Sequence, residues 1–333
     1  MSWAREAVAL LDRFPGQRLA VIGDLVLDRY VVGFPARISR EAPVLVLEER
    51  SAFARPGSAA NPATNLSALG CAVEIIGVVG CDSEADTLLR ALAETGVDTR
   101  GVVRAPGFTT AAKTRILAED AAGRRQQMLR LDRVPSGPLD AATLAGLGAA
   151  IDHAAEHCAV LLVSDYKGGV VCEATIAAAL AAARRHERPL VVDTQGSPFR
   201  FRGFTLVKSN QPDVEVALGA RLETEDAFRS ACAQLVERLQ ARAAVITRGA
   251  EGISALEASG EYLHLPAANR AEVVDVTGAG DTVIALLAAG LAVGAPLRET
   301  VALANLGASL VVRRLGVVAP TPDELRQAAR EAD

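Results

Sequence analysis

The residues best suited to chemistry are the run Thr277-Gly278-Ala279-Gly280-Asp281, between a short β-branched stretch and an Ala/Leu-rich helical pattern. Gly278 and Gly280 permit backbone conformations and close approaches that a side chain forbids. A helix starting here turns its first unpaired N–H groups, and the positive end of its dipole, onto the turn. Such a corner binds an anion, and bare glycines let a phosphate come close. Asp281 falls in the first helical turn. A carboxylate beside a bound anion is repelled by it and serves binding poorly. It serves a reaction well if it accepts the proton of a hydroxyl that attacks phosphorus. The same residues also fit a plainer description, an acidic first turn on a glycine-initiated helix. No GxxxxGK[ST] loop is present and no GxGxxG follows a strand, so P-loop and dinucleotide readings lose their support.

Other polar groups stand at element boundaries. Asn210 and Asp213 lie three apart at a helix start, where an amide oxygen and a carboxylate can hold the waters of Mg²⁺ or simply cap the helix. "VITRGAEGISAL" (245–256) reads as strand, glycine turn and strand. There Thr247 and the backbone at Gly249 and Gly252 suit phosphate or ribose, or form an ordinary hairpin. Asp24 and Asp28 at a strand end, with Asn61 and Asn65 at a helix start, suit a polyhydroxylated ligand, since each can take paired hydroxyls. Lys208 can reach a phosphate or sit on the surface. His153 and His157, four apart on one helix face, have metal-capable spacing, but no third ligand is evident and a solvated face is expected.

The elements that must position these groups alternate. Strands at 18–23, 73–80, 159–165, 189–194 and 243–249, and the β-branched run opening 272–294, are interleaved with helical patterns. The helical patterns are expected at 59–70, 83–96, 139–157, 173–187 and 297–316. Strands buried on both faces and separated by helices predict a mostly parallel sheet covered on two sides. Residues 28–53 and 109–133 instead alternate apolar and charged positions, as half-solvated antiparallel strands do. They are expected to form a small projecting sheet, a lid over the site or an edge that pairs with a second subunit.

The 333 residues are half hydrophobic, enough for a large core, and the net charge is -5 without a basic block. Nucleic acid and anionic membranes are therefore poor partners. Five cysteines without a CxxC pair predict a reduced, cytoplasmic protein lacking structural zinc. The N-terminal stretch carries acidic residues and lacks the apolar core of a signal peptide, and no apolar run is long enough to span a bilayer.

With "GDLVLDRYVVGFPARISREAPVLV", "RPGSAANPATNLSALG", "KTRILA", "QQMLRLD", "VSDYKGGV" and "EVVDVTGAGDT" in view, the chain resembles the ribokinase (PfkB) family of carbohydrate kinases over essentially its whole length. Within it, the pattern is most similar to the branch acting on O1 of D-glycero-β-D-manno-heptose 7-phosphate. The resemblance implies one ribokinase-like α/β domain over 1–333, a three-layer sandwich with a β lid, using ATP and Mg²⁺. It also implies a homodimer pairing through the lid strands. Asp281 becomes the base, and Gly278, Ala279 and Gly280 the anion hole. Asn210 and Asp213 match Asn-x-x-Glu with Asp for Glu. Thr247, Arg248, Gly249 and Gly252 match the nucleotide turn. Asp28, Asn61, Asn65, Lys113, Arg115 and Asp165 fall in sugar-side motifs, and some of Arg29, Arg37, Lys113, Arg115 and Arg130 would grip the 7-phosphate.

Three departures fall on the substrate side. Gly57-Ser58 replaces Gly-Gly, Lys167 stands one position early in Asp-Tyr-Lys-Gly-Gly, and Thr194-Gln195 replaces Pro-Lys and removes one cation. They leave open another sugar or nucleoside acceptor, or a catalytically silent homologue. Ending at Asp333, the chain is expected to correspond to a kinase-only form.

Overall fold

The computed structural model describes residues 2–135, 137–268, 273–314 and 316–332. Its strands, in chain order, are β1 (Arg18–Gly23), β2 (Leu25–Ile38), β3 (Leu45–Ser58), β4 (Ala72–Val79) and β5 (Val102–Arg104). Next come β6 (Ala111–Glu119), β7 (Arg125–Arg133), β8 (Val160–Asp165), β9 (Leu190–Thr194) and β10 (Leu206–Asn210). The last are β11 (Ala243–Thr247), β12 (Ile253–Glu257) and β13 (Tyr262–Leu265).

Nine strands form the main sheet in the order β13-β12-β11-β10-β9-β8-β1-β4-β5. Pairing is parallel from β11 to β5, and β12 and β13 add an antiparallel edge. Alternate residues of one strand enter different cores, because successive side chains point to opposite faces. Leu19, Val21, Leu162 and Val191 pack under the helices Ala279–Ala292 and Leu297–Val311. Ala20, Ile22, Leu161 and Val192 pack against the helices Ala141–His157 and Glu225–Leu239. The layers are helix, sheet, helix, as the alternation of patterns predicts.

Parallel pairing brings Gly23, Asp165, Thr194, Asn210 and Thr247 to one end of the sheet. In open α/β sheets, ligands bind at the carboxyl ends of the strands.

The projecting sheet has four strands in the order β3-β2-β6-β7. It is mixed rather than antiparallel throughout, since β2 and β6 run parallel. Its inner face is a small aromatic-aliphatic cluster of Tyr30, Val32, Leu117 and Phe53, with Tyr30 and Phe53 stacked at 4.8 Å. Every residue of β7 is exposed, Leu129 and Leu131 included.

The β-branched run ahead of Gly278 is not a strand. Glu272 lies outside the described residues, and Val273, Val274 and Val276 are exposed. Among the described residues, the N–H groups of Val274 and Asp275 are held by the Val312 carbonyl and that of Thr277 by Asp275 Oδ1, none of them by a strand. Among the described residues β13 pairs only with β12, and this segment does not add to its outer edge. Among the described residues no helix is long and apolar enough to cross a membrane.

Candidate active site

The helix Ala279–Ala292 begins where a left-handed residue is required, and Gly278 supplies it at φ 85°. Among the described residues, no hydrogen bond takes up the N–H groups of Gly280 or Asp281. The corner therefore keeps the bare donors that an anion needs. Asp281 is not on the surface of that turn but buried, at 4 % exposure. One carboxylate oxygen accepts from Asn61 Nδ2 at 3.0 Å and the other from the Tyr166 hydroxyl. Burial pushes its carboxyl up to about 6, with Asp193 acting in the same direction. The bonds from Tyr166 and Asn61 and the charge of Lys208 pull the other way. A carboxylate half-converted near neutrality is matched to general-base work.

Beneath this corner lies a buried ion pair. Lys208 Nζ sits 2.8 and 2.9 Å from the two oxygens of Asp193, its partner across the β9–β10 register. A side-chain carbon on Gly280 would come within 3.0 Å of that ammonium, which shows how closely Lys208 underlies the anion corner. Lys208 is thus buried at 5 % exposure, against the expectation that a surface position serves it as well. Its strand places it on the face turned to the helix that carries Asp281, and Asp193 holds its charge there. Burial pushes the Asp193 carboxyl up while Lys208 opposes the shift.

The predicted sugar-side groups are present, and most already have partners. Asn65 ties the helix Ala279–Ala292 to its neighbour, accepting from Thr282 Oγ1 at 2.9 Å and donating to the Asn61 carbonyl at 2.9 Å. Asp28 is paired with Arg115 at 2.5 Å, and a side chain at Gly57 would strike Asp28 Oδ2 at 2.5 Å. Asp165 accepts from Lys167 N and from Arg200 at 3.0 Å, and burial pushes its carboxyl up. Asp24 is consumed by the loop after β8, accepting from the N–H groups of Tyr166, Gly168 and Val170. Among the lid cations, Arg29 pairs with Glu84 and Arg130 with Asp132, whereas Lys113 and Arg37 have no ion pair among the described residues.

Two departures acquire a structural meaning. Ser58 adopts a left-handed φ of 54° and is buried, with its hydroxyl lacking any partner. The stem of Lys167 crosses Gly196, in the turn after Gln195, where an added carbon would meet Lys167 Cε at 2.6 Å. Lys167 and Lys208 therefore bracket the end of β9, from which the usual lysine is missing.

On the far side, Asn210 and Thr247 are register partners at the ends of β10 and β11. Asn210 caps the helix Gln211–Leu218 by accepting from Asp213 N at 2.9 Å, and its amide donates to Asp213 Oδ2 at 2.8 Å. That leaves the second Asp213 oxygen for solvent or bound water. The Arg248 side chain turns inward, over the Phe228 ring at 3.7 Å and onto Glu225 at 2.9 Å, so only its backbone remains with the turn. Gly249 has a left-handed φ of 56° with open space beside it. Gly252 is instead packed against the Leu265 carbonyl, where a side chain would collide at 2.0 Å.

The model for pfkB family carbohydrate kinases matches residues 17–324. This chain belongs to that family. The pfkB-family chain is 40 % identical over 319 residues to the bifunctional protein HldE of Syntrophotalea carbinolica, covering 96 % of the chain and 64 % of that protein. It is 42 % identical to HldE of Methylococcus capsulatus, covering 95 % and 64 %. It thus spans a little under two thirds of the length of these relatives. Among solved structures, phosphofructokinase-2 of Escherichia coli in complex with potassium superposes with a TM-score of 0.78 at 18 % identity, covering 96 % and 99 %. Ribokinase of Arabidopsis thaliana complexed with ribose and ATP gives 0.73 at 17 %, covering 95 % and 99 %. At such identities these two show the fold: a ribokinase-like α/β sandwich.

Tyr166, Asp193 and the burial of Lys208 are absent from the residue-by-residue reading. Tyr166 lies 115 positions from Asp281, and nothing local marks the contact. Lys208 carried a readable signal, a lysine within the apolar strand "TLVKSN".

Proposed function

We propose that this chain transfers the γ-phosphoryl of ATP to a sugar hydroxyl, and that its acceptor is O1 of D-glycero-β-D-manno-heptose 7-phosphate. The observation carrying the reading is Asp281: buried, raised to about 6, and set at the glycine corner where the N–H groups of Gly280 and Asp281 stand open. In its ionised form Asp281 takes the proton of the acceptor hydroxyl as the hydroxyl oxygen attacks phosphorus. Gly278 and Gly280 present backbone donors to the migrating group, whereas the Ala279 N–H, expected to join them, is taken up by the Val276 carbonyl at 3.3 Å; Lys208 adds positive charge beneath them. Tyr166 and Asn61 fix the carboxylate's rotamer. Thr247 and the open backbone at Gly249 receive the nucleotide. Magnesium, when bound, neutralises charge on the phosphates; Asn210 and the open oxygen of Asp213 would hold its waters. Lys113 and Arg37 are lid cations that could take a 7-phosphate.

The buried, partnerless hydroxyl of Ser58 favours a second reading within the same chemistry, a different sugar or nucleoside. A coupled assay of ADP release over phosphorylated and free sugars separates them. We expect turnover with heptose 7-phosphate and none with free hexoses; turnover confined to unphosphorylated acceptors contradicts the first reading. No ADP with any acceptor, despite ATP binding, would mean a silent homologue.

All five cysteines are free thiols, in keeping with a reducing, cytoplasmic setting. The open edge and exposed apolar residues of β7 support a homodimer through the lid. Light scattering at micromolar concentration should give twice the chain mass; a monomer would count against it.

A further inference from the structure

Of the two histidines of the helix Ala141–His157, His157 has two further ligand groups nearby, brought by the fold. Cys158 follows the last helical residue, and Glu74 on β4 faces both. Glu74 Oε2 lies 3.3 Å from His157 Nε2, and the donor atoms of Glu74, His157 and Cys158 all fall within 4.8 Å of one another. The His153 ring, one helical turn earlier, meets the His157 ring edge-on at 5.0 Å. We propose that Glu74, His157 and Cys158 form a zinc-binding site, with its fourth position opening to solvent beside His153.

Oxygen, imidazole nitrogen and thiolate sulfur are the donors zinc takes, at about 2.0–2.3 Å each in a tetrahedral shell. Such a shell sets its ligand atoms roughly 3.2–3.6 Å apart, so the present spacing closes by about 1 Å through side-chain rotation. Glu74 and Cys158 are buried, at 9 % and 2 % exposure, whereas the His157 side chain is 28 % exposed and gives the ion an entrance. Two of the neighbouring cations are committed elsewhere. Arg100 is locked on Asp98, and Arg188 donates to the carbonyls of Ala155 and Glu156. Arg18 lies near both Asp98 and the thiol. Glu74 has no ion-pair partner other than His157 among the described residues. On binding, the Cys158 S–H bond breaks, the sulfur–metal bond forms and the proton passes to solvent.

The site is remote from the phosphoryl-transfer chemistry. Glu74 is near the start of β4 and Cys158 just precedes β8, whereas Asp165 and Gly23 mark the opposite ends of their strands. Zinc there would clamp helix Ala141–His157 to β4.

Calorimetric titration of the metal-free full chain with Zn²⁺ alone should give one ion per chain with micromolar or tighter affinity. Co²⁺ should give a thiolate-to-cobalt charge-transfer band. Cys158→Ser should abolish the band, and both it and Glu74→Gln should weaken Zn²⁺ binding by roughly tenfold or more. Cys81→Ala with Cys172→Ala should change neither readout, which excludes the more accessible thiols. If Cys158→Ser does not fold, alkylation of the wild type mapped by mass spectrometry replaces it, with Zn²⁺ shielding Cys158. No stoichiometric Zn²⁺, a band surviving Cys158→Ser, or an unshielded Cys158 overturns the site.

Discussion

Asp281→Asn should lower kcat by about 10²–10⁴-fold, the usual contribution of a positioned general base, while ATP affinity stays close to that of the wild type. The substitution keeps the side-chain shape and the glycine corner but removes the proton acceptor. Asn61 and Tyr166 can still bond the new amide, since Asn61 can turn its own amide to present oxygen. Loss should therefore fall on turnover rather than on folding or nucleotide binding. A near-normal kcat would remove Asp281 from the reaction.

Lys208→Met should have the largest effect on stability and a large one on rate. It leaves Asp193 buried without its ammonium partner at 2.8 Å, and breaking a buried pair from one side costs about 3–5 kcal/mol. Denaturant unfolding measures this. Adding Asp193→Asn should recover most of the loss, because the stranded charge is then gone. Turnover should not recover with it. The positive charge under Gly280 remains absent, and removing one element of an anion-stabilising site typically costs ~10²–10³-fold in kcat. A double variant that regains both stability and activity would reduce the pair to a structural role.

Much of this was legible because the main-sheet strands are buried on both faces and their helices are amphipathic, so local composition follows tertiary place. The Gly-Ala-Gly-Asp corner was legible for a different reason: the left-handed φ at Gly278 and the close ammonium of Lys208 at Gly280 both call for glycine. What escaped depends on pairing between distant segments. Lys208 is identified as buried only once β9 and β10 pair in register and set it opposite Asp193. Tyr166 reaches Asp281 only after β8 lies beside the catalytic helix. Glu74 becomes a neighbour of His157 and Cys158 only once β4 lies against the helix Ala141–His157. The valines before Gly278 misled in the other direction, since β-branched residues favour a strand only where a neighbouring strand actually pairs with them.

The central claim is that a buried carboxylate near pH 6 takes the acceptor's proton, and the pH dependence of kcat/KM tests it most directly. The base works ionised, so activity should be full well above about pH 6 and fall about tenfold per pH unit below it. Tyr166→Phe removes a hydrogen bond that holds the Asp281 pKa down, so the acid limb should move to higher pH. An acid limb that stays in place in Tyr166→Phe, or activity that runs undiminished well below pH 6, would contradict the assignment of Asp281 as the base.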